Sequence, residues 1–131
     1  MAQHGTYGDL VDAPNETLSV EYKSWLDLSE NPEARADLAR HICAIANHGG
    51  GVIVFGFNDD LTVAGPTPFP NAVVNRDTIA GIVKKYLEPT IHCDVMNVTS
   101  SSGNTHPIII VLCTAARQSA RNRMGRLSTE K

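Results

Sequence analysis

Residues 46–60 read ANHGGGVIVFGFNDD, and in that order a helix stops, a strand crosses the core and an acidic turn follows. Gly49, Gly50 and Gly51 come directly after a helical pattern, where positive φ closes a helix and where side chains would obstruct a strand passing close by. Val52, Ile53, Val54 and Phe55 are too apolar and β-branched for a half-exposed strand, so the run predicts a central strand covered on both faces. Asn58, Asp59 and Asp60 then turn the chain. Glycines beside an apolar strand also suggest a phosphate-cradling loop, but such loops place the strand first and meet the phosphate with the positive N-terminal end of a helix. Here the helix precedes the strand and presents its negative end.

Working upstream, LSVEYK at 18–23 alternates Leu18, Val20 and Tyr22 with Ser19, Glu21 and Lys23, which predicts a strand with one buried face and puts Glu21 and Lys23 together on the other. Asn31 is a good N-cap and Pro32 suits the first position of a helix running to about Asn47. Ala34, Leu38, Ile42 and Ile45 make its buried stripe, while Arg35, Asp37 and Arg40 are expected on a solvated face. Residues 1–14 show no sustained period and are expected to form a loose arm or one partly ordered against the body.

Downstream, 61–70 is a proline-rich connection, and Asn75 can cap a second helix with Ile79, Ile82, Val83 and Tyr86 or Leu87 inward. Lys84 and Lys85 suit its C-terminus by their charge. IHCDVMNV, the turn TSSSGNT and HPIIIVLC then form a β-hairpin. The order β-α-β-α-β-β predicts an α+β domain of two layers, a mixed sheet with two main helices packed against it. We assign 1–14 to the arm, 15–116 to the domain and 117–131 to a basic tail.

The 131 residues, 42% hydrophobic and 19% charged, describe one folded domain. No apolar run reaches the length of a membrane span and MAQHGTYGDL lacks the regions of a signal peptide, so the cytoplasm is the expected compartment. Cys43, Cys93 and Cys113 lie in apolar patterns and are read as reduced core thiols. A zinc site from His41, Cys43, His92 and Cys93 is disfavoured, because residues two apart on a helix, or adjacent on a strand, point apart. The net charge of −3 is uneven: Arg117, Arg121, Arg123, Arg126 and Lys131 against Glu130 give the tail +4, which leaves −7 on the rest. Such a tail is either a phosphate-seeking arm or a solvated terminus.

ETLSVEYK at 16–23, ICAIANHGGGVIVFGFNDD at 42–60 and the VAG that follows resemble the Schlafen AlbA-type domain, the Alba-like DNA-binding module of bacterial regulators and of the Schlafen core. A Glu beside a Lys on an early strand, an Ala-Asn pair before glycines, and an aliphatic strand ending Gly-x-x-Asp are specific as a set. The resemblance implies a nucleic-acid-binding regulatory module for DNA or RNA; Lys23 and, by the charge of the tail, Arg117, Arg121 and Arg123 are the candidate contacts. It also implies an alternative, a metal-dependent endoribonuclease in which Glu16, Glu21 and Asp59 would hold Mg²⁺ or Mn²⁺. Hard oxygen ligands suit those ions and phosphodiester cleavage, with Lys23 placed to meet developing charge. Against both stands an ordinary surface pair at Glu21 and Lys23 with a turn residue at Asp59, as in a non-catalytic dimerisation or protein-interaction domain. Schlafen cores set two related lobes around a valley and this chain has one, so the resemblance implies a homodimer. Residues 113–131 do not obviously supply the aromatic and arginine-bearing element with which the family usually continues.

Overall fold

The computed structural model describes residues 2–17, 19–29, 31–69, 73–88, 91–112 and 119–120. In chain order the elements are α1 (Ala2–Asp12), β1 (Val20–Lys23), α2 (Pro32–Asn47), β2 (Gly51–Phe55), α3 (Arg76–Tyr86), β3 (Leu87–Glu88), β4 (Cys93–Thr99), β5 (Thr105–Val111) and β6 (Ser119–Ala120). Four strands form one mixed sheet in the order β1-β2-β5-β4. β1 runs parallel to β2, which α2 makes possible as the crossover, and β2–β5 and β5–β4 are antiparallel. β3 and β6 pair separately.

The expected elements form for local reasons. The Asn31 side chain accepts the backbone N–H groups of Glu33 and Ala34 at 3.0 and 3.2 Å, and Asn75 accepts that of Thr78 at 2.8 Å. At the other end of α2, Gly50 N–H reaches Ile45 C=O at 2.9 Å and Gly49 N–H reaches Ala46 C=O at 3.2 Å, with φ of +93° and +103°. That bond pair is a Schellman motif, so two of the three glycines stop the helix. Gly51 acts differently: a Cβ there would stand 2.2 Å from the Ser19 carbonyl oxygen, which accepts the Val52 N–H at 2.8 Å. It lets β1 close on β2.

The central strand is buried on both faces, as its composition requires: Ile53, Val54 and Phe55 are fully buried. One face of the sheet packs Ile53, Phe55, Ile109 and Val111 under Leu38, Ile42 and Ile45 of α2 and Ile79, Ile82 and Val83 of α3. Each fully buried Leu or Ile there contributes about 1.5–3 kcal/mol.

The other face corrects the two-layer expectation. The arm is ordered against the body: residues 2–12 form α1, and Val11 with Leu10 and Tyr7 packs on Tyr22, Val52, Val54, Phe57 and Ile108. Helices therefore cover both sides of the sheet, three among the described residues. Asp12 ties α1 to the β4–β5 turn by accepting the Ser101 backbone N–H at 2.8 Å. No described helix is long and apolar enough to cross a membrane.

Candidate functional site

Strand alternation places Glu21 and Lys23 opposite Ile53 and Phe55, on the face that α2 covers. Two charged side chains thus point inward from an edge strand, a device that also discourages edge-to-edge association. Their neighbours come from one turn of α2. Lys23 Nζ lies 3.2 Å from His41 Nε2 and 3.6 Å from Asp37 Oδ2, while His41 Nδ1 lies 3.4 Å from Glu21 Oε2. An ammonium only donates, so His41 offers Nε2 as an acceptor and turns its Nδ1–H towards Glu21. The Lys23 side chain is only 15% exposed. Asp37 accordingly works at the sheet edge as well as on the helix surface, where Arg40 Nη2 donates to it at 3.1 Å. Arg35 instead reaches the Leu28 carbonyl. His41 and Asp37, four apart on α2, are the residues that the sequence reading missed as partners of Glu21 and Lys23; that spacing was the available signal.

Glu16 sits outside β1. Its Oε2 accepts the Tyr22 backbone N–H at 3.3 Å, while Thr17 and Val20 exchange backbone bonds at 3.2 and 3.3 Å. The turn before β1 therefore covers the free edge of that strand. Tyr22 points to the opposite face, donates its hydroxyl to Leu10 C=O at 2.7 Å and accepts from Asn15 N–H. Burial raises its phenol pKa above the ordinary value.

Asp59 is delivered by a tight turn. Leu61 N–H bonds Asn58 C=O at 2.9 Å and Asn58 N–H bonds Thr62 C=O at 2.7 Å, and Leu61 takes φ of +69°. A leucine holds this left-handed position because its side chain packs on the α1 face of the core. Asp60, not Asp59, closes the turn: the Thr62 hydroxyl and backbone N–H both bond its carboxylate and hold it below the usual carboxylate range. Asp59 is left exposed beside the cavity.

Glu16, Glu21, Lys23, Ser24, Asp59 and Leu61 line one cavity of about 320 Å³. The carboxylates are of the right kind for a hard divalent ion. Among the described residues, however, no three His, Cys, Asp or Glu side chains are gathered tightly enough to hold a metal ion as they stand. Glu16 is engaged with the Tyr22 N–H and Glu21 faces His41, so a bound ion would have to draw both away from those partners. The same finding covers the histidines and cysteines: His41 is turned to Glu21, and Cys43 is buried. Arg117, Arg121 and Arg123 of the expected nucleic-acid contacts, and Cys113, lie outside the described residues.

A search among curated proteins returned no match. The family model for Schlafen, AlbA_2 matches residues 16–127, a span that contains the strand bearing Glu21 and Lys23, the glycine-ended helix and the turn bearing Asp59. By that match the chain belongs to the Schlafen AlbA_2 family.

Proposed function

We propose that this protein is a nucleic-acid-binding regulatory module that meets a phosphate backbone at the β1-edge cavity. It would act in the cytoplasm and as a homodimer that supplies the second lobe of a binding valley. The single observation that carries the reading is Lys23, an ammonium held in a cavity wall by Asp37 and His41 on a domain of nucleic-acid-related family. The arginines of the tail, Arg117, Arg121 and Arg123, are candidate further contacts. The carboxylates around Lys23 oppose a polyanion, so binding is expected to be weak and to fall steeply with salt. Fluorescence anisotropy with labelled single-stranded and duplex DNA and RNA at low salt tests it. Binding that weakens in Lys23→Ala supports the reading, and no anisotropy change with any of the four would refute it.

A second reading, metal-dependent cleavage of RNA, is supported by Glu16, Glu21 and Asp59 sharing that cavity with Lys23. Mg²⁺ or Mn²⁺ held by those three would supply charge neutralisation at a phosphodiester. Lys23 would sit against a non-bridging oxygen, and Glu21 would turn from His41, 3.4 Å away, to reach the ion. Incubating pure protein and Mn²⁺ with several structured RNAs decides the matter: cleavage abolished in Glu21→Gln is expected, and intact RNA throughout ends this reading.

A further inference from the structure

A second cavity lies across the segment 24–26 from the first. It encloses about 320 Å³ and is walled by Trp25, Val63 and Pro66 on one side and by Asn104 and His106 of the β4–β5 hairpin on the other. His106 is 1% exposed, its ring stacked on Phe57 at 4.6 Å. Its Nδ1 lies 2.8 Å from the Phe55 carbonyl oxygen. A carbonyl can only accept, so Nδ1 carries the proton; a second proton on Nε2 would leave a buried charge without a partner, so Nε2 keeps a lone pair. That Nε2 is buried and has no hydrogen-bond partner among the described residues, an unmet acceptor in a wall where buried polar atoms are normally paired.

Gly56 brings the two rings of this wall together. With φ of +96°, it leaves room where a Cβ would stand 2.6 Å from His106 Nδ1 and 3.0 Å from the Trp25 ring. Trp25 Nε1–H is already donated to Gly65 C=O at 2.8 Å, so what the indole has left to offer is its π-face. A planar aromatic ligand with an N–H edge complements both features, its face on Trp25 and its donor towards Nε2. The edges of nucleobases have this chemistry.

We propose that this cavity takes an unstacked nucleobase, read by Trp25 through stacking and by His106 Nε2 as hydrogen-bond acceptor. The inference rests on the nucleic-acid reading above and adds a base site to its phosphate site. Lys23 and Ser24 line the first cavity and Trp25 the second, so only one or two residues, about 4–8 Å of chain, separate them. Because Nε2 is sealed from solvent, the base must displace part of the rim to reach it.

Trp25 is the only tryptophan and lines this cavity, so its fluorescence reports on binding there. Titration with cytidine and adenosine monophosphates is expected to quench it saturably. N3-methyluridine monophosphate, which has no N–H on its base, should bind at least about fivefold more weakly, as should cytidine monophosphate to His106→Phe. Val63→Phe, a rim substitution at a 43% exposed position, should also weaken quenching if the core change at His106 prevents folding. Equal quenching by N3-methyluridine monophosphate, or wild-type quenching in Val63→Phe, overturns the proposal. No quenching by any mononucleotide, while a labelled single-stranded RNA still binds by anisotropy, overturns the base site and leaves the phosphate reading standing. Quenching without oligonucleotide binding supports the cavity and refutes the reading at Lys23.

Discussion

Replacing Gly51 by alanine tests the account of how β1 is brought to β2. The added Cβ would lie 2.2 Å from the Ser19 carbonyl oxygen, 2.9 Å from its carbon and 3.0 Å from Ile45 Cγ2. Two of those atoms are backbone and cannot rotate away, so the strands must separate. Separation breaks the 2.8 Å bond from Val52 N–H to Ser19 C=O, a loss of about 1 kcal/mol. Overpacking against Ile45, which α2 holds, adds about 1–3 kcal/mol. The sum is roughly 2–4 kcal/mol, corresponding to a fall in Tm of about 6–16 °C for a domain of this size. Gly49→Ala is the control: nothing lies within 4 Å of its Cβ position, and only the φ of +103° resists it, at about 1–2 kcal/mol. Urea unfolding followed by far-UV circular dichroism and by Trp25 fluorescence would measure both. Wild-type stability for Gly51→Ala, or a larger loss for Gly49→Ala than for Gly51→Ala, would refute the reasoning.

At Leu61, held at φ +69°, the glycine variant is expected to be more stable than the alanine variant by about 1 kcal/mol, since only glycine relieves the left-handed strain; urea unfolding of the pair checks the order. The Arg76 guanidinium donates to Asp94 and holds its carboxyl below the usual range. A carboxyl depressed in the folded state contributes stability above its unfolded pKa and loses it as pH falls through the folded one. Arg76→Ala should therefore raise the Asp94 titration midpoint followed by carboxyl carbon NMR, and an unchanged midpoint would count against the pairing. Burial pushes the Cys93 thiol up to about 12, so almost no thiolate exists at pH 8 and peptide mapping after brief maleimide treatment should find Cys93 unlabelled in native protein and labelled in urea. Lys23→Met should tolerate loss of the charge better than Asp37→Ala, because the latter leaves a largely buried ammonium with one partner fewer; comparative thermal unfolding reads the order.

Elements whose causes are local are legible in the residues that form them. Asn31 and Asn75 cap helices with their own side chains, Gly49 and Gly50 end α2 through bonds to residues three to five positions back, and the apolar run at 52–55 had to be central because it has no polar face. Alternation along β1 likewise put Glu21 and Lys23 on one face. Tertiary structure alone decided the rest. The segment 2–12 contains Gly5 and Gly8, which weaken a helix, and α1 is anchored by Leu10 and Val11 on the far side of the sheet, contacts that no local pattern encodes. The cavity is of the same kind. Glu16, Glu21 and Asp59 are 43 residues apart at their extremes, and they line one cavity because a parallel crossover sets β1 beside β2 and the Leu61 turn returns the chain to that edge. Which partners each charge takes, His41 and Asp37 for Lys23 and the Tyr22 N–H for Glu16, depends on distances across packed elements that residue spacing does not fix.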